Sequence, residues 1–384
     1  MTNNAQAVSA EHDAGTKPVM RITAFDHVRG LAAIFMIVPH VIIMFGTDSA
    51  IHSPVGIVMD QLIGDAPAAP VFMLLMGVFL AYPGERPLPR MMSRGVRIYL
   101  LGTVLNVLRL VVPIMIAVVF LPETARQVLH EYGFPAGDVF YELGLDLDVL
   151  QFAGIAFILI SVLQRFIRSS WLWVVTGAII VIAAPHLWGT GRSWGLWYDL
   201  VQPLWGNELT LNIPTDTAFP VFPWLAYPIA GIIVGKAMAA GRSEDWLLKR
   251  MLGAGLVLFV GGWTYVVFGS TESLGDYYRM YPGGTSLVMG FALVWTCFFM
   301  WLSRRGLFQN ALNKLVYWSR SLTLLYCVQW VLLGFSILIF GYKRFDNPWI
   351  SVALTPVYIC LTYVTARRLE KIGWFMRGFR WFLD

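Results

Sequence analysis

RITAFDHVRGLAAIFMIVPHVIIMF, residues 21–45, is the stretch that decides the fold. Asp26 and Arg29 form a charged foot, and from Gly30 to Phe45 there is no Asp, Glu, Lys or Arg. At 1.5 Å rise per residue such a run crosses much of a ~30 Å hydrocarbon layer. Its one ionisable group is His40, which lies about 16 Å beyond Arg29 on a straight helix, near the layer's midplane. An ionisable side chain there is costly and faces a bundle interior or a wet cavity, so His40 reads either as a functional group or as a histidine satisfied by a neighbouring helix. Pro39 removes a backbone N–H one residue earlier, which predicts a bend and open space around the imidazole.

The rest of the chain extends this reading. It is 57% hydrophobic and 13% charged, where a soluble domain carries about 25% charged residues. The fold expected is an all-α integral membrane protein, a bundle of about ten transmembrane helices with both termini cytoplasmic. Apolar runs place spans near 29–46, 57–82, 96–121, 148–165, 171–188, 217–238, 247–268, 285–303, 319–340 and 348–368. Alternating the connections then puts 22 of the 28 lysines and arginines on the N-terminal side and five on the other, with Arg109 inside a span. Cytoplasmic loops collect positive charge, which fixes the expected orientation. Residues 1–20 read as a disordered cytoplasmic tail and 21–384 as a single transmembrane domain. The net charge of +5 belongs to those loops and gives no reason to expect nucleic acid. Cys297, Cys327 and Cys360 all fall in spans, so neither a disulfide framework nor a thiolate metal site is indicated, and no metal is expected.

Besides His40, three groups of residues stand out. Arg109 lies deep in the third span, with Asn106 and Gly102 on the same face. It reads equally as a substrate or oxyanion donor and as a structural arginine paired with a carbonyl or with an acid such as Asp65. The connection after the second span carries Arg86, Arg90, Arg94 and Arg97. Such a loop serves topology and anionic lipid, but Arg94 and Arg97, three apart at a helix start, also suit a phosphate. On the opposite side, 122–147 is acidic, and 189–216 holds Trp194, Trp197, Tyr198 and Trp205, placed for sugar stacking or for interfacial anchoring.

Arg21, Asp26, Arg29-Gly30 and His40, followed by Arg94-x-x-Arg97, resemble the transmembrane acyltransferase superfamily. That superfamily includes the O-antigen-type membrane acyltransferases and the heparan-α-glucosaminide N-acetyltransferase-like proteins. The segments APAAPVFMLLMG (66–77), DVLQFAGIAF (148–157), FPWLAYPIAGIIVGKAM (222–238) and SRSLTLLYCVQW (319–330) lean to the second branch. The resemblance spans about 21–335. It implies transfer of an acyl group, usually acetyl, from cytoplasmic acetyl-CoA or another acyl-CoA to a sugar hydroxyl or amine of a glycan or glycolipid across the bilayer. His40 corresponds to the essential histidine, Arg29 with Asp26 to its motif, and Arg94 and Arg97, with Arg90 beside them, to the donor-binding motif. Arg109 with Asn106 is expected to serve catalysis, and Asp65, Asp148, Gln151, Trp224 and Gln329 to face the acceptor. Two positions depart from the pattern: Gln329 stands where many relatives have a second histidine, and Asp65 is one place from their acidic residue. A bacterial inner membrane and a homodimer fit the same resemblance. A proton-coupled transporter or flippase using His40 and Arg109 is the competing reading.

Overall fold

The computed structural model describes residues 22–82, 86–206, 217–269 and 276–383. The expected 1–20 tail, Arg21 and the 207–216 part of the aromatic loop lie outside the described residues. Among the described residues, ten helices are long and apolar enough to cross a membrane: α1 Thr23–Phe45, α2 Pro54–Ala81, α3 Leu88–Phe120, α4 Ala136–Phe166, α5 Ser170–Leu187, α6 Val221–Ala239, α7 Glu244–Phe268, α8 Pro282–Arg304, α9 Leu322–Phe340 and α10 Pro348–Leu369. They follow the expected order, and no β-strand occurs among the described residues.

Connections meet alternately at the two ends of the bundle. At the end holding the start of α1, Arg165 donates to the Arg86 carbonyl at 3.1 Å, Lys236 to the Arg168 carbonyl at 2.9 Å, and Arg304 pairs with Glu244 at 3.0 Å. At the other end, Lys343 pairs with Asp48 at 3.2 Å and Glu131 at 2.7 Å, and Gln127 donates to the Tyr342 carbonyl. Burial alone lowers the Lys343 pKa, but the two carboxylates outweigh it and hold the ammonium above the usual lysine range. These ends are called the basic face and the opposite face.

Two prolines shape the spans that carry the site. In α1 the helix breaks into Thr23–Phe35 and Ile37–Phe45, with a turn at Met36, because Pro39 has no N–H for the Phe35 carbonyl. In α3, Val107–Val111 form a π-helical turn ahead of Pro113, which leaves the Arg109 carbonyl without its i+4 donor. Gly334 of α9 packs onto that carbonyl so closely that a Cβ there would overlap it. The α2–α6 contact is equally tight, since a Cβ on Gly77 would strike the Pro228 carbonyl and one on Gly231 the Leu74 carbonyl. Small residues at such crossings let backbones meet where no hydrophobic drive separates helix from lipid.

Candidate active site

A cavity of about 490 Å³ opens among α1, α2, α4, α8 and α9, with His40 in its wall. The imidazole is fixed by one face of α9. Trp330 lies against it with ring centroids 4.1 Å apart, Tyr326 meets it edge-on at 6.4 Å, and Gln329 Nε2 donates to His40 Nδ1 at 3.2 Å. Residues 326, 329 and 330 share a face because they are spaced i, i+3 and i+4.

Behind this face lies a buried charge pair. Arg109, 4% exposed, sends Nη2 to Asp148 Oδ2 at 2.6 Å and stacks on Trp330 at 4.1 Å. Tyr326 donates its hydroxyl to the same Asp148 oxygen at 3.0 Å. The contacts close a ring: His40, Trp330, Arg109, Asp148, Tyr326 and back to His40. The acid that holds Arg109 is therefore Asp148, not Asp65. Asp148 also caps the helix Val149–Phe166, accepting from the Val149 amide at 2.7 Å, while Gln151 Oε1 accepts from the Asp148 amide at 3.3 Å. Asn106 and Gln151 both donate to the Asp146 carbonyl, at 2.8 and 3.1 Å. Asn106, Arg109 and Gln151 thus hold Asp148 in position and do not themselves line the cavity.

The cavity's remaining polar lining comes from α2 and from connections at the opposite face. Asp60 and Asp65 descend from a π-helical segment, Val58–Asp65, and Asp276, Tyr277 and Tyr278 come from the loop before α8. Tyr277 donates to the Asp65 carbonyl at 3.1 Å. Burial, followed by the neighbouring carboxylates, pushes the Tyr277 and Tyr278 phenols up, so both stay protonated donors. Among the described residues, four carboxylates and His40 line the space and no lysine or arginine does. No described group of three or more His, Cys, Asp or Glu side chains is arranged to hold a metal.

The other residues singled out from sequence lie elsewhere. Asp26 and Arg29 meet at Ser319: the Ser319 hydroxyl donates to Asp26 at 2.9 Å, and Arg29 Nε donates to that hydroxyl at 2.8 Å. Because protein groups satisfy these charges, α1 begins at Thr23, before them. His40 is then seventeen residues from the start of α1 and five from its end, nearer the opposite face than a count from Arg29 indicates. Arg90 is exposed, Arg94 lies 5.2 Å over the Phe157 ring, and Arg97 donates to the Trp381 carbonyl at 2.9 Å from beneath the Trp381 ring. Trp224 is fully buried behind the mouth, donating to the Tyr278 carbonyl at 2.8 Å. Trp194 and Trp197 are exposed and away from the cavity. Sequence reading missed Asp60, Asp276, Tyr277, Tyr278 and Trp330. The signal for three of them was DYYRMY (276–281), an acid followed by two tyrosines just before a span.

The family model described as heparan-alpha-glucosaminide N-acetyltransferase, catalytic, matches residues 21–270. The match takes in α1 to α7, with His40, Arg94, Arg97, Arg109 and Asp148, and ends before the α9 residues that hold the imidazole. No individual curated protein matches the chain. With the motif, the ten apolar helices and a match over most of the sequence in agreement, this chain belongs to the heparan-α-glucosaminide N-acetyltransferase catalytic family of membrane acetyltransferases.

Proposed function

We propose that the protein transfers an acetyl group from cytoplasmic acetyl-CoA to a hydroxyl or amine of a glycan or glycolipid on the opposite side of a bacterial plasma membrane, with His40 as base or acyl carrier and both termini cytoplasmic. The observation that carries this reading is the position of His40: its imidazole borders a polar cavity and is held at Nδ1 by the neutral amide of Gln329. In the direct route, the acceptor oxygen or nitrogen gives its proton to His40 and bonds to the thioester carbonyl carbon. The carbon–sulfur bond breaks, and the thiol leaves with that proton. If His40 instead carries the acetyl group, its ring nitrogen first bonds to the carbonyl carbon as the carbon–sulfur bond breaks and the thiol leaves with a proton. The acceptor then bonds to that carbon as the nitrogen–carbon bond breaks and its proton returns to the imidazole.

Gln329 suits either route. With its amide nitrogen facing Nδ1, the neutral ring bears its proton on Nε2; a half-turn of the amide presents Oε1, which accepts from Nδ1–H and leaves Nε2 bare. The carboxylates and phenols of Asp60, Asp65, Tyr277 and Tyr278 suit the hydroxyls and amines of a sugar. Arg90, Arg94 and Arg97 are the residues that would hold the phosphates of the donor. Incubating the purified protein with radiolabelled acetyl-CoA and a glycan panel tests the proposal: label appears in a glycan if it holds, and in none if it fails.

A further inference from the structure

A second and larger space lies along the other side of α8. It measures about 830 Å³ and runs between α5, α6, α7 and α8. Its origin is the way α7 packs. A Cβ on Gly262 would strike the Leu287 backbone and one on Gly290 the Phe259 backbone, so α7 and α8 are pressed together. The face of α7 turned toward α5 and α6 instead meets a gap lined by apolar side chains and widened by small ones, among them Gly177, Ala230 and Gly253. A Cβ added to Gly253 would find no atom within 4 Å. From Ala226 to Ala237 on α6 the groove extends about 17 Å, a large part of the hydrocarbon layer.

Its rim at the basic face is charged. Lys249 and Arg250 both line the groove and are exposed. Arg242 and Arg250 flank the Trp246 ring at 5.3 and 5.6 Å, an arrangement suited to the bilayer interface. The carboxylates nearby in sequence, Glu244 and Asp245, are engaged by Arg304 at 3.0 and 2.5 Å. An apolar trough along the membrane, with cations and an indole at one end, is complementary to one kind of molecule: a chain lipid with a negative head.

We propose that this groove holds an acyl chain of an anionic phospholipid from the leaflet at the basic face, with the headgroup phosphate bound by Lys249 and Arg250. The chain fills the gap that α7 leaves against α5 and α6.

Native mass spectrometry of the full-length protein, titrated with phosphatidylglycerol and with phosphatidylcholine of equal chain length, tests this. The wild type should retain phosphatidylglycerol several-fold better than phosphatidylcholine. Lys249→Gln with Arg250→Gln should erase that preference. Gly253→Phe, whose ring enters the groove from an open position, should lose phosphatidylglycerol while keeping the wild-type melting temperature. Should Gly253→Phe not fold, the exposed charge pair decides alone. Equal retention of the two lipids by the wild type overturns the proposal. So does unchanged phosphatidylglycerol retention in either variant, or a change of oligomeric state in Gly253→Phe at constant lipid retention, which would make the groove a seat for a second copy.

Discussion

Gln329 Nε2 and His40 Nδ1 are 3.2 Å apart, although 289 residues separate them in sequence. The amide is the imidazole's hydrogen-bond partner from the helix that also supplies Trp330. Gln329→Leu keeps the volume near that of the amide and leaves Nδ1 unsatisfied. A buried polar group left without its partner costs about 1–3 kcal/mol, so acetyl transfer should fall by roughly 10- to 100-fold. Steady-state kinetics should show the loss in kcat, with KM for acetyl-CoA little changed.

Asp148, in the cavity wall, pairs with the buried Arg109 behind it. Removing one charge of such a pair leaves the other uncompensated, at about 3–5 kcal/mol. Asp148→Asn, which retains an oxygen to cap Val149–Phe166, should therefore lower the melting temperature markedly. Adding Arg109→Met should restore part of the loss. Melting curves of the two single variants and the double variant check this; additive losses would show that the pair is not coupled.

Why some of this was legible in the sequence and some was not follows from range. Ten apolar runs announce ten helices because each must satisfy its own backbone in lipid, and that requirement is local. His40, Arg109 and Asp148 stand out for the same reason, as polar groups in or beside apolar stretches. Their partners were not legible. Nothing near Arg109 in sequence says that Asp148 rather than Asp65 lies against it, since helix docking decides that. Ser319 satisfies Asp26 and Arg29 from nearly 300 residues away, which is why counting from Arg29 misjudged where α1 begins. Tyr277 and Tyr278 were not singled out from sequence, because only the placement of the loop before α8 brings them to the cavity wall.

The α2–α6 crossing sets a limit on substitution. At Gly231 a methyl group would overlap the Leu74 carbonyl, whereas at Gly253 it meets open space. Gly231→Ala should destabilise by at least the ~1–3 kcal/mol of an overpacked core, and Gly253→Ala should be close to neutral. Fluorescence-detected thermal melts of the two variants, side by side, provide the comparison.

Arg94 and Arg97 test the donor end of the account. Arg94→Lys with Arg97→Lys keeps the charge at the basic face but loses the guanidinium fork and its stacking on Phe157 and Trp381. Affinity for CoA, measured by calorimetry, should weaken by about tenfold, the size of one charge-assisted contact. Unchanged affinity would remove these arginines from the donor site.

The most direct measurement is acetyl transfer by His40→Ala, made on the same preparation as its melting temperature and its CoA affinity. His40 borders the cavity and gains its contacts from α9, so its removal should leave the fold and donor binding nearly intact. Transfer of labelled acetyl should drop by the ~10²–10⁴-fold that losing a general base costs. A folded, CoA-binding His40→Ala protein that transfers acetyl at the wild-type rate would contradict the account.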